Sequence, residues 1–103
     1  MSDIVLSLET MRRVSILFPP DQRDEAALIL TRECGNNLPF LEKLNEYELE
    51  RFRYAALKLS KGSLDGLRRA AELANLDWRD LLMAAGFGED VGVHREWLPN
   101  TQR

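Results

Sequence analysis

Apolar residues recur along most of this chain at three- and four-residue intervals, the period of a helix, and capping residues break the pattern into segments. Leu8, Met11, Val14 and Phe18 predict a first helix from Leu8 to about Leu17, with Arg12 and Arg13 off its apolar stripe. Ser7 is placed to cap it, and Leu6 and Met11 have the spacing of a hydrophobic staple. Pro19-Pro20 ends it, because the residue before a proline is driven out of the α region. Asp21 is the expected cap of a second helix reaching Glu33 or Cys34, whose first turn carries Asp24 and Glu25. Ala26 to Leu30 is apolar on nearly every side, the mark of a helix between neighbours. Gly35-Asn36-Asn37 stops it, and Pro39 to Leu44 reads as a short turn or helix. Ahead of all this, Asp3 to Ser7 is either a strand or an extended lead-in; the period does not decide.

The strongest helical pattern follows, Glu46 to Lys61, with Asn45 as cap and Glu48 and the Leu44/Leu49 pair supporting it. Leu49, Phe52, Ala55, Ala56 and Leu59 form one broad stripe, while Tyr47, Tyr54 and Leu57 lie well round the helix. A helix apolar on two sides is either central or shows one side to a partner. Ser63 to Phe87 then reads as two short helices meeting at Asp77, each with its own cap, Ser63 and Asp77. Leu64, Leu67, Ala70, Ala71 and Ala74 share the inner face of the first; Trp78, Leu81, Leu82 and Ala85 face inward from the second. Leu76 and Leu81 have staple spacing, and Gly86 suits the left-handed residue that closes a helix. Residues 88–103 form an irregular tail, with Val91, Val93, Trp97 and Leu98 as anchors if it docks rather than stays mobile. The fold class expected is all-α, a small orthogonal bundle of four to five helices in one domain.

Size and charge narrow the function. A chain of 103 residues is one domain, and its 45% hydrophobic content can supply a core. The net charge of −3 counts against surfaces that meet polyanions, which usually need a basic patch. One cysteine forms no internal disulfide. The opening MSDIVLSLETMRR lacks a basic segment followed by a long apolar core, so no signal peptide is expected, and no apolar run approaches a membrane span. Cytoplasm is the expected compartment.

Catalytic chemistry finds little support. Cys34 and His94 are the only thiol and the only imidazole. A nucleophilic pair would need them in contact in an electropositive setting, yet Cys34 falls near a helix C-terminus beside Glu33, where a thiolate is disfavoured. Zinc sites need more Cys and His ligands than these two. Glu48, Asp77 and Asp80 have capping roles, the other carboxylates read as a solvated face, and no phosphate-binding or nucleophile-elbow motif is present. No cofactor and no metal are expected, and an enzyme is not the favoured reading.

LKLSKGSLDGLRRAAELANLDWRDLLMAAGF, residues 57–87, resembles the helix-turn-helix region of small bacterial antitoxin-like proteins. Ala71 stands at the small position of the first helix, Asn75 at the turn, and Leu76 and Leu81 at buried positions. The resemblance implies a second helix in the DNA major groove, with Trp78, Arg79, Asp80 and Met83 as readers and Arg68, Arg69 and Arg79 as cations. That set departs from the family pattern: from Ser63 to Phe87, Asp65, Glu72, Asp77 and Asp80 outnumber Arg68, Arg69 and Arg79. The favoured expectation is therefore a non-enzymatic module that binds another protein or itself, as a homodimer, through Tyr47, Tyr54, Leu57 and Trp97. Tyrosine and tryptophan give large, stiff contact area. The alternative is a DNA-binding or antitoxin-type regulator.

Overall fold

A computed structural model describes residues 6–34, 46–88 and 93–99, with Glu46 and Tyr47 as backbone only. The expectations placed on Asp3 to Ser7, on Pro39 to Leu44 and on the Asn45 cap fall wholly or partly outside these residues. Five α-helices are present among the described residues: α1 (Leu8–Leu17), α2 (Arg23–Glu33), α3 (Glu46–Ser60), α4 (Leu64–Leu76) and α5 (Trp78–Ala85). Single 3-10 turns occupy Pro20–Gln22 and Val93–Glu96. The fold is an all-α bundle with α3 at its centre, packed against α1, α4, α5 and the C-terminal turn, while α2 lies against α1 and α4.

Helix α1 starts where Ser7 accepts a hydrogen bond from the Thr10 amide, 3.2 Å away, and the same hydroxyl donates to Glu50 of α3 at 2.7 Å. One side chain thus caps a helix and ties it to its neighbour. The buried face of α1 differs from the expected stripe. Leu8 is 88% exposed, whereas Thr10, Arg13, Val14 and the following Phe18 are buried. Arg13 faces inward because carbonyl oxygens wait there for its donors, so the usual cost of burying a cation is offset.

Asp21 does not cap α2. It lies in the 3-10 turn, and Gln22 already has helical backbone (φ −112°, ψ −7°) at the junction, with no side-chain cap bond. A capping side chain acts from an extended residue, and none is available here. Arg23 folds back instead and donates to the carbonyl oxygens of Phe18 and Ser15, both at 3.0 Å, satisfying the open end of α1. Helix α2 buries Ala26, Ala27, Ile29 and Leu30, and Cys34 closes it.

In α3, Leu49, Phe52, Tyr54, Ala55, Ala56 and Leu57 are all buried, so the helix is apolar on two sides because it is central. It ends at Ser60, one residue before the expected Lys61. The connection to α4 is tight. A Cβ on Gly66 would come within 2.5 Å of the Ser60 carbonyl oxygen, so only glycine fits at that crossing. Ser63 caps α4 by accepting from the Gly66 amide at 3.2 Å. Ala70, Ala71 and Ala74 are buried, and their small size lets α2 and α3 approach α4. At the far end, Asn75 donates to the carbonyl oxygens of Glu33 (3.0 Å) and Ala71 (2.9 Å), stitching α4 to the last turn of α2.

Asp77 (φ −156°, ψ 94°) is the extended break between α4 and α5 and caps α5 by accepting from the Arg79 and Asp80 amides. Gly86, at φ 81°, ends it in the left-handed conformation, and Lys58 of α3 donates to the Ala85 carbonyl oxygen at 2.9 Å. The expected staple between Leu76 and Leu81 is not formed: Leu81 is buried but Leu76 is 77% exposed. The extended Asp77 leaves Leu76 on the outside of the corner.

Candidate interaction surface

The C-terminal turn does not hang free. Its His94 is fully buried, and His94, Trp97, Tyr54 and Phe87 form one ring cluster with centroid separations of 5.5 to 6.4 Å. Arg13 secures the turn from α1. Its Nε donates to the Trp97 carbonyl oxygen at 3.0 Å, Nη2 to that of Arg95 at 3.3 Å, and Nη1 to the carbonyl and carboxylate oxygens of Glu9 at 2.9 and 3.1 Å. The guanidinium carbon also stands 4.1 Å from the Tyr54 ring centroid, a cation–π arrangement. Burial pushes the Tyr54 hydroxyl above its ordinary pKa, against the lowering pull of Arg13 and raised further by Glu50.

This lock corrects the contact surface expected from sequence. Tyr54 and Leu57 are 2% and 0% exposed and belong to the core, beneath the C-terminal turn and between helices. Trp97 is half-buried against Tyr54 and Phe87. The Tyr47 side chain lies outside the described residues. Tyr54 and Leu57 build no outward face, because α3 is enclosed where they lie.

Cys34 and His94 occupy different settings: the cysteine closes α2 beside Arg53, which donates to its carbonyl oxygen at 3.2 Å, and the histidine lies in the ring cluster. Burial raises the Cys34 thiol to about 12, so it is protonated at neutral pH. Among the described residues, no group of three or more His, Cys, Asp or Glu side chains is placed to hold a metal ion, and no helix is long and apolar enough to cross a membrane.

The hairpin arginines Arg68 and Arg79 have different partners. Arg68 pairs with Glu25 of α2 at 2.7 Å and approaches Asp65 at 3.7 Å, lining a charged groove between α2 and α4 that also contains Arg32, Glu33 and Glu72. Arg69 is exposed on α4. Arg79, on α5, lies over the Trp78 ring at 4.9 Å. Trp78 itself is half-buried and meets Phe52 edge to face at 5.7 Å, so its ring is held by the core.

Among the described residues, large apolar side chains are exposed at Leu8, at Leu98, and on the outer side of α5 and its entry corner. Leu76 is 77% and Met83 59% exposed, and Arg79, Asp80 and Ala84 share the solvent side of the helix. Two shallow hollows flank Trp78 and Arg79. One, of about 320 Å³, is bounded by Leu76 and Asp77; the other, of about 430 Å³, by Arg51, Leu82, Met83 and Gly88. Arg51 is held there by donating to the Phe87 carbonyl oxygen at 2.7 Å. Sequence reasoning placed Leu76 in the interior and named Met83 only as a base reader; the signal for the outer patch was the extended backbone at Asp77, which no residue spacing reveals.

Fold and surface together define a small all-α bundle with an internally locked C-terminal turn and an exposed apolar corner at Leu76 and Met83. No protein-family model, no curated protein and no solved structure matches the chain.

Proposed function

We propose that this chain is a non-enzymatic interaction module that recognises another protein through the outer side of α5. The observation that carries the reading is the exposure of Leu76 and Met83 on either side of the ridge formed by Trp78 and Arg79. Large apolar side chains beside an aromatic and an arginine are the composition of a contact centre, where a few anchors supply most of the binding energy. The reading places the protein in the cytoplasm, supported by a single cysteine kept as a buried thiol.

A second reading, a helix-turn-helix regulator, is favoured by the tight corner between α4 and α5 and by the exposure of Arg79. Against it, Asp77 and Asp80 share the exposed side with Arg79, and Arg68 is engaged by Glu25 and Asp65. A phosphate backbone would meet two carboxylates for one cation.

A photo-crosslinking residue at position 83, compared with one at Glu72 in the α2–α4 groove, tests the reading in living cells. Protein adducts at 83 and none at 72 are expected. Absence of any protein adduct at 83 would overturn the module; nucleic-acid adducts there, with a salt-sensitive DNA shift lost in Arg79→Ala, would establish the regulator instead.

A further inference from the structure

We infer that the partner offers an acidic, amphipathic peptide segment, a carboxylate next to a bulky apolar side chain, to the hollow between α3, α5 and Gly88; this rests on the interaction reading above and names the partner's chemistry. The hollow, of about 430 Å³, is lined by Arg51 of α3, by Trp78, Arg79, Leu82 and Met83 of α5, and by Gly88. Among the described residues its lining holds two guanidinium groups and no carboxylate, in a chain whose net charge is −3. The other recesses are mixed. The α2–α4 groove has three carboxylates to two arginines, and the smaller hollow has Asp77 beside Arg79. Elsewhere Arg12 and Arg13 meet Glu9, and Arg68 meets Glu25. Arg51 and Arg79 have no carboxylate partner among the described residues.

Arg51 is fixed in direction all the same. Its Nε and Nη2 donate to the Phe87 carbonyl oxygen at 3.2 and 2.7 Å, and Nη2 reaches that of Gly88 at 3.4 Å. The Nη1 donors are left over, and a carboxylate is the acceptor that best matches a guanidinium edge. Arg79 lies over the Trp78 ring at 4.9 Å, and Phe52 meets that ring edge to face. Trp78, Leu82 and Met83 supply the apolar half, with methionine able to fit side chains of varied shape. A basic segment would meet unpaired like charge. A wholly apolar one would cover two guanidinium groups without giving them acceptors. The smaller hollow shares Trp78 and Arg79 with the larger and reaches Leu76. A small free acid would fill one hollow and leave Leu76 in water, whereas a peptide crossing the ridge covers both.

A phage-displayed library of random peptides, panned against the purified full chain, tests the inference. Enriched peptides should carry Asp or Glu next to Leu, Phe or Trp. Binding of a synthesised winner, read by fluorescence anisotropy, should weaken about tenfold in Arg79→Gln. It should stay unchanged in Arg12→Gln, with circular dichroism checking that each variant keeps its helices. Changing the peptide's carboxylate to the amide should cost as much, and both changes together little more than either alone, because they break the same pair. Basic or charge-indifferent winners, additive losses, or a library without a winner would each overturn the acidic segment. Phenylacetate bound as tightly as the winners would replace the peptide by a small acid. Protein adducts at position 83 that map to a segment lacking Asp and Glu would sink this inference and leave the interaction module standing; absence of every protein adduct there would sink both.

Discussion

The Nε of Arg13 in α1 donates to the carbonyl oxygen of Trp97, 3.0 Å away and 84 positions along the chain, so one buried side chain joins the first helix to the last turn. Three more acceptors, the Arg95 carbonyl and both oxygens of Glu9 within reach, complete the set, and Tyr54 supplies a ring face. The pairing explains why a tail without a long helix keeps its place over α3.

Arg13→Ala should lower unfolding free energy by about 3 kcal/mol, since it strands buried carbonyl oxygens and opens the floor under Tyr54. Urea denaturation measures the loss, and amide exchange at residues 93–99 should rise before the rest of the bundle opens. Arg13→Lys should not restore it, because a single ammonium cannot reach three carbonyls in different directions. Unchanged exchange in the turn would mean the lock does not depend on Arg13.

Gly66→Ala should destabilise despite adding a better helix former. On an exposed helix position the change stabilises by about 1 kcal/mol. Here the new Cβ would lie 2.5 Å from the Ser60 carbonyl oxygen, a backbone atom that cannot swing aside. A net loss of about 2 kcal/mol is expected from the forced shift, read as a lower denaturation midpoint; a gain would show that α3 and α4 part easily at this crossing.

Asp77→Ala removes the acceptor for the Arg79 and Asp80 amides and should cost about 1 kcal/mol, whereas Asp77→Asn keeps an acceptor and should cost much less. Equal losses in the two variants would assign the effect to charge at the helix end rather than to the cap.

Cys34 sets an alkaline limit. Its folded pKa, about 12, lies above the ordinary 9.0 because the thiolate is desolvated, with Arg53 lowering it and Glu33 raising it to smaller degrees. Below pH 9 both states hold the proton and stability is unaffected. Between pH 9 and about 12 the unfolded chain loses it first, so stability falls as pH rises. Thermal melts across that window should decline more steeply for the natural chain than for Cys34→Ala, and the native thiol should resist alkylation at neutral pH. Rapid alkylation of the folded chain would contradict the burial.

The segment ends were legible in sequence because they are local chemistry. Ser7, Ser63 and Asp77 cap the helices they precede, Gly86 closes α5, and Pro19-Pro20 separates α1 from α2, each through atoms a few positions apart. The inward faces of α4 and α5 followed from period alone, since alanine and leucine have one way to be buried. Asp21 was misread because the backbone at Gln22 was already helical.

Sequence by itself therefore determined an all-α chain, the extents of α1, α4 and α5 and the near-extent of α3, because caps and period act within one turn of backbone. Only the tertiary structure decided which sides face water. Arg13 turns inward for acceptors more than 80 positions away, Tyr54 and Leu57 are covered by elements distant in sequence, and Leu76 is turned out by the extended Asp77. The physical reason is that burial of a polar or ambiguous side chain depends on what other segments bring to it, and that meeting is not written in the spacing of any one helix.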